Sequence, residues 1–169
     1  AYLYHHKHVS PSEFAGMILE VQAPIFVIRE WQRHRSIAVS EELSFEEMSS
    51  RYTELPNLFY IPSVERIMAG KQGGKNKQGS QEGFTEQEAF KLQSELVYAA
   101  NQARQAYERL LRLGVARELA RLALPVSQYS RMRVSANLRG WLAFLELRLP
   151  TSAQQEIREY AQAVAGIVE

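Results

Sequence analysis

The sequence predicts an α+β fold: a helix-rich single domain over residues 1–169 with a small sheet. Three observations predict it. Thr85-Glu86-Gln87-Glu88 has the form of a capping box ahead of a long amphipathic run. Residues 17–21 and 130–135 alternate apolar and polar side chains, the period of a half-buried strand. Pro24, Gly114, Pro125 and Pro150 punctuate the chain where helices should begin or end.

In chain order, residues 17–21 form the first strand. Pro24 suits the first turn of a helix running to about His34, because that turn leaves its own N–H groups unused. Residues 36–52 read as a long polar loop with room for one helical turn, and residues 58–61 as a short extended segment closed by Pro62. Residues 70–83 (GKQGGKNKQGSQEG) are polar and glycine-rich, which predicts a mobile insertion near 70–84 within one core. Its GGK lacks the spacing and the following hydroxyl of a phosphate loop, so it does not argue for an NTPase. From Thr85 a helix should continue to about Leu113, with Leu92, Leu96, Ala99, Ala103, Tyr107 and Leu110 on its buried stripe. Gly114 ends it. A short helix over 115–122 stops before Pro125, the second strand follows at 130–135, and helices over 137–149 and 152–168 complete the chain.

Apolar residues make up 46% of the chain and charged residues 23%, the profile of a soluble globular protein. Apolar runs fall far short of the roughly 20 residues that a membrane span needs. No secretory signal opens the sequence, so the expected address is the cytoplasm. A net charge of +1 gives no overall pull toward nucleic acid or anionic membrane. Fifteen of the cations are Arg and five are Lys; the planar guanidinium fork matches phosphate and carboxylate oxygens better than a mobile ammonium does. The absence of cysteine excludes disulfides, thiolate zinc sites and a thiolate nucleophile within these residues.

The densest polar constellation is Arg29-Glu30-Trp31-Gln32-Arg33-His34-Arg35. Two Arg and a His at a helix C-terminus are favoured by the macrodipole, so a structural cap is one reading. Downstream, Ser44-Phe45-Glu46-Glu47-Met48-Ser49-Ser50-Arg51-Tyr52 crowds hydroxyls, carboxylates and an Arg into a stretch with no helical stripe, a donor set suited to phosphate and a nucleobase edge. A second constellation spans residues 137–148. On a helix, Asn137, Trp141, Phe144 and Arg148 share a face that would suit a flat heterocycle; the other reading is a core helix with Arg148 at its wet end. Arg121, taken alone, reads as a helix-terminal structural residue. His5-His6-Lys7-His8 lacks the carboxylate partners and spacing of a metal site and reads as a solvated terminal segment, so no metal is expected.

The RHR triplet followed by a Glu-x-Ser-x-Arg-Tyr stretch resembles the signature of the flavin-dependent thymidylate synthases. The resemblance runs colinearly through Ala23-Pro24-Ile25-Phe26-Val27, Phe59-Tyr60-Ile61-Pro62-Ser63, residues 121–125, residues 137–148 and Ala153-Gln154-Gln155-Glu156-Ile157. It implies reductive methylation of dUMP to dTMP, with methylenetetrahydrofolate as carbon donor and reduced FAD, regenerated by NADPH or NADH, as hydride source. It implies a homotetramer with active sites at subunit interfaces. By resemblance, FAD is held by Ser10, Arg33, His34, Arg35, Glu47, Asn137 and Arg139. The dUMP site takes Glu30, Arg33, Glu47, Met48, Ser49, Ser50, Arg51, Arg121 and Arg148, and Arg148 contacts the uracil ring as the catalytic residue. This flavin route needs no enzymic thiolate, in keeping with the absence of Cys.

The chain departs from the family pattern in places. Residues 36–41 look inserted, which makes Glu42-Leu43-Ser44 a rival to Glu47-Met48-Ser49; the later match is preferred because Ser50-Arg51-Tyr52 follows it directly. Glu30 stands where many members carry Gln, and Ala143 where some place a polar flavin contact. The strand and helix that usually precede the counterpart of Ser10 are largely missing, so a fragment or a chain stripped of disordered parts is expected. A different class of reading, a non-catalytic nucleotide- or RNA-binding protein using the same Arg set, would require strongly salt-dependent binding of nucleic acid. The near-neutral net charge argues against it.

Overall fold

The structure is a computed structural model that describes residues 2, 6, 8, 10–34, 43–72, 80–81 and 83–168. His5, Arg35 and the inserted stretch 36–41 lie outside the described residues. The chain divides into two compact units, Ala1–Met48 with Ser130–Glu169, and Ser49–Tyr129.

The first unit is built on a three-stranded sheet of β1 (Gly16–Pro24), β2 (Ser44–Glu47) and β5 (Tyr129–Asn137), in the spatial order β1-β5-β2. Along β5 the burial alternates: Ser130, Met132, Val134 and Ala136 face inward, while Arg131 and Arg133 face solvent. Both strands expected from alternation are present and longer than expected. β2 is a correction, since residues 36–52 were read as loop. It pairs antiparallel with β5, setting Phe45 opposite Val134 and Glu47 opposite Met132. Leu43 is buried and Phe45 packs on the core, so a two-step alternation was present but too short to stand out.

α1 (Ile25–Trp31) follows β1 without a loop. Pro24 is not in its first turn but ends β1 in extended geometry, at the position just before the helix. α1 buries Val27, Ile28 and Trp31 and stops short of the expected His34. Arg33 N–H donates to Glu30 O at 3.2 Å and His34 N–H to Trp31 O at 2.9 Å, tightening the last turn into i→i+3 bonds. α5 (Leu138–Arg148) is capped by Asn137, whose Oδ1 accepts from Gly140 N–H at 2.8 Å. α6 (Gln155–Val168) buries Glu156, Ile157, Ala161 and Val164. These three helices cover the inner face of the sheet, with Trp31, Trp141, Phe144, Ile157, Met132 and Val134 at the centre. Each such side chain contributes about 1.5–3 kcal/mol by leaving water. Two ties fix the helices to β1: Trp141 Nε1–H donates to Met17 O at 3.2 Å and Tyr160 O–H to Gln22 O at 3.0 Å.

The second unit holds α2 (Val64–Met68), the short strands β3 (Lys71–Gln72) and β4 (Ser80–Gln81), α3 (Glu86–Arg112), α4 (Arg117–Ala120) and a 3-10 turn (Arg121–Ala123). The capping box is formed: Thr85 Oγ1 accepts from Glu88 N–H, and Thr85 N–H donates to Glu88 Oε2 at 2.8 Å. Gly114 follows α3 with φ of 81°, a left-handed conformation that a side chain resists. The glycine-rich insertion is tied at its ends, where β3 and β4 pair antiparallel. A side chain at Gly83 would collide with the Met68 carbonyl, so that close approach requires glycine.

The buried stripe of α3 is a further correction. Tyr107 is buried as expected and Ala103 and Leu110 are half-buried, but Leu92 and Leu96 are 39% and 45% exposed and Ala99 is exposed as well. The helix instead buries Ala89 and Ala100, with Gln93 Nε2 donating to Pro62 O at 2.8 Å. A small residue and an amide anchored on a backbone carbonyl set that face, which apolar periodicity alone does not weigh. No described helix is long and apolar enough to cross a membrane.

Candidate functional site

Two clusters in the first unit and one in the second gather most of the candidate residues. In the first unit, α1 and α5 bring together Glu30, His34 and Arg148. Arg148 Nε–H donates to His34 Nε2 at 2.8 Å, and its Nη1 lies 3.4 Å from Glu30 Oε2. His34 is only 7% exposed, and its ring stands edge-on to Phe144 with centroids 5.1 Å apart. Burial and the neighbouring Arg148 cation push its pKa down to about 4, so it is a neutral imidazole at physiological pH. Glu30 is pushed the other way. Burial raises its carboxyl above the ordinary range, Arg148 opposes the shift, and Glu156 adds to it. The cluster therefore places one fixed cation between a neutral acceptor and a carboxylate of raised proton affinity.

The same unit joins Ser10, Asn137 and Arg139 at the start of α5. The 3-10 turn Ser10–Glu13 packs there, Arg139 Nη1 pairs with Glu13 Oε1 at 2.8 Å, and Leu138 N–H donates to Ala15 O at 2.7 Å. Arg33 is exposed beyond the end of α1. Glu47 is exposed on β2, and the half-buried Met48 extends the ladder through its N–H to Arg131 O at 2.8 Å. Arg35 lies outside the described residues.

In the second unit, residues 49–53 form a turn closed by Tyr52 and Thr53 N–H groups on Ser49 O, each at 3.1 Å. Arg121 Nη1 donates to Ser50 Oγ at 2.9 Å, and its Nε–H to Glu118 O at 3.2 Å. Arg51 N–H and Nε–H both approach Ser49 Oγ at 3.4 Å, and the Arg51 guanidinium lies 5.3 Å from the Tyr52 ring centroid. Ser50 and Arg121, far apart in sequence, thus form one donor pair.

The reading of Trp141 and Phe144 as a ligand-facing aromatic wall is corrected. Both are 1% exposed and belong to the core, with Phe144 in edge contact with Trp31 and Trp141. Only the two ends of that helical face, Asn137 and Arg148, remain at the surface of α5. Sequence reasoning missed Glu156, a carboxylate 5% exposed in the first turn of α6, with Gln154 Nε2 donating to it at 2.8 Å. Nothing in the local pattern distinguishes it from a solvated helix-start Glu. No group of three or more His, Asp or Glu side chains suited to a metal occurs among the described residues.

The thymidylate synthase complementing protein family matches residues 1–169. The flavin-dependent thymidylate synthase of Thermus thermophilus is 42% identical over 168 residues, covering 99% of this chain and 57% of the relative. That of Wolbachia pipientis is 37% identical over 168 residues, covering 99% and 56%. The chain thus spans little more than half the length of these relatives. A crystal structure of the UMP/dUMP methylase PolB from Streptomyces cacaoi, bound with 5-Br UMP, matches with a TM-score of 0.85 at 34% identity, covering 98% of this chain and 73% of that one. With the sequence matched along its whole extent and the fold reproduced in the PolB structure, this chain belongs to the thymidylate synthase complementing protein family.

Proposed function

We propose that this chain carries the catalytic machinery of a flavin-dependent thymidylate synthase. The reaction is reductive methylation of dUMP to dTMP, with methylenetetrahydrofolate giving the carbon and NADPH or NADH supplying the reducing equivalents. The observation that carries this reading is the Arg148 guanidinium, 22% exposed and held between His34 and Glu30. A cation fixed at that point stabilises negative charge developing on a uracil ring without having to reorganise during the reaction. The names of the relatives and the nucleotide in the PolB structure support the same substrate class.

The residues present fit a flavin dinucleotide. Asn137 and Arg139 stand at the N-terminal end of an 11-residue helix, where amide dipoles and a guanidinium favour phosphate oxygens. Ser10, Arg33 and Glu47 supply further donors and acceptors for it, and Arg35 belongs to the same set by resemblance. Bound there, reduced FAD supplies the hydride. In this reading the protein's own residues do four things. In the second unit Ser50, Arg51 and Arg121 bind the nucleotide phosphate, and Arg33 belongs to the dUMP set by resemblance. Ser49, Met48 and Glu47 line the nucleotide. Glu30 offers a carboxyl of raised proton affinity to the base edge. Arg148 polarises the ring.

Assembly into a homotetramer with shared sites belongs to the same proposal. It is supported by the apolar residues that α3 leaves uncovered, among them Phe90 at 63%, Val97 at 41% and Tyr98 at 62% exposure. A cytoplasmic enzyme is the corresponding localisation.

The test is direct. The purified chain is reconstituted with FAD and assayed for dTMP formation from dUMP, methylenetetrahydrofolate and NADPH. A yellow protein that methylates dUMP is the expected result; a colourless one that cannot take up flavin overturns the reading.

A further inference from the structure

We infer that His34 is a positioning residue for Arg148, a role separate from any contact it makes with flavin. The inference rests on the reading of Arg148 as the uracil contact. Arg148 sits in the last turn of α5, where a side chain with four rotatable torsions would ordinarily sample many directions. Here its Nε–H is committed to His34 Nε2 at 2.8 Å and its Nη1 faces Glu30 Oε2 at 3.4 Å. One hydrogen bond and one ion pair hold the guanidinium. Nη2 carries no other bond among the described residues and is the edge left to meet a ligand.

His34 is itself held on both sides: its backbone N–H donates to Trp31 O at 2.9 Å, and its ring stands at 72° to Phe144. Phe144 in turn stands at 87° to Trp31 and 90° to Trp141, so an aromatic scaffold of the core sets the imidazole, and the imidazole sets the guanidinium. Because an arginine Nε–H can only donate, His34 Nε2 must accept, which leaves the ring proton on Nδ1. The depressed pKa agrees with that assignment, since an imidazolium in this place would set two cations against each other. The structure therefore uses His34 as a neutral acceptor and not as a positive charge for phosphate.

The experiment has two arms, both on the full chain. In the first, protein labelled with 15N at Arg and His is examined by NMR, with the Arg148 Nε–H signal assigned by its loss in Arg148→Lys. A scalar coupling between Arg148 Nε and His34 Nε2 is expected, with slow exchange of that proton. His34→Leu, which fills the space without an acceptor, should release it, and His34→Gln, which can accept through Oε1, should restore protection in part. Absence of the coupling together with unchanged exchange in His34→Leu overturns the inference, whether or not the protein methylates dUMP. In the second arm, turnover per bound flavin should fall about ten- to a hundredfold in His34→Leu, the scale of one hydrogen bond to a charged group, and recover partly in His34→Gln. If flavin content falls while turnover per bound flavin is unchanged, His34 acts only through flavin and the positioning role is wrong. Should His34→Leu not fold, the coupling in the unaltered protein decides.

Discussion

Arg148 and Glu30 meet across the first unit as an ion pair, Nη1 to Oε2 at 3.4 Å, each from the last turn of its helix. The pair is half-buried, and burial raises the Glu30 carboxyl more than Arg148 lowers it. Removing the cation should therefore have two separable effects. Arg148→Ala is expected to lower dUMP methylation by about a hundredfold or more, the usual cost of deleting one charge-stabilising donor. Flavin absorbance should be retained, and the Glu30 titration, followed by 13C NMR, should move further up. Loss of flavin on this substitution would show that Arg148 serves the cofactor instead.

His34 makes stability pH-dependent in a defined window. Its pKa is about 4 in the fold and 6.5 as a free side chain. Above pH 6.5 it is neutral in both states and contributes no slope. As pH falls from 6.5 to 4, the unfolded chain takes up a proton that the fold refuses, so stability declines; below 4 this contribution levels off. Denaturant midpoints measured between pH 7 and pH 4 should show a shallower decline for His34→Gln than for the unaltered chain. Parallel curves would mean that other groups govern the acid limb.

The two candidate serines differ in surroundings. Ser49 Oγ accepts from Arg51 in the turn that leads to Ser50, whereas Ser44 is exposed on β2 opposite Ser135. Ser49→Ala is expected to raise KM for dUMP about three- to tenfold with kcat nearly unchanged, the loss of one neutral hydrogen bond. Ser44→Ala should be silent. The reverse pattern in steady-state kinetics would assign the motif to Glu42-Leu43-Ser44.

Gln128 is fully buried, and its Nε2 donates to Pro56 O at 2.6 Å, Tyr129 O at 2.9 Å and Leu58 O at 3.1 Å. Gln128→Leu removes that donor, while Pro56 O keeps the Leu58 N–H and Leu58 O keeps the Tyr129 N–H. Destabilisation of about 1–2 kcal/mol is expected from chemical denaturation. A change below about 0.5 kcal/mol would mean that the remaining backbone bonds compensate for the lost amide.

Thr85 tests the helix start. Thr85→Ala deletes one half of the capping box and should cost about 1 kcal/mol, read as a lower thermal midpoint, with Thr85→Ser close to neutral. Equal losses for both would point to the Thr85 methyl group rather than its hydroxyl.

What could be read without coordinates was whatever depends on neighbours in sequence. Thr85 with Glu88 and Gly114 after α3 announce helix ends because a cap is a bond between residues a few positions apart. The alternation in β1 and β5 and the colinear Arg-rich motifs were visible for the same reason. β2 escaped because within it only Phe45 packs on the core, with Leu43 just ahead of it, and the tilt of the buried stripe on α3 escaped because it turns on Gln93 reaching Pro62 O.

The sequence by itself determined the helix-rich α+β class, the capping chemistry and the family, all of which are written in local spacing and motif order. Only the tertiary structure decided that Trp141 and Phe144 belong to the core and that Ser50 meets Arg121. It also decided that Arg148 is held by His34 and Glu30. Those relations join residues far apart along the chain, and burial, which sets both the neutral state of His34 and the raised carboxyl of Glu30, exists only once helices have packed on the sheet.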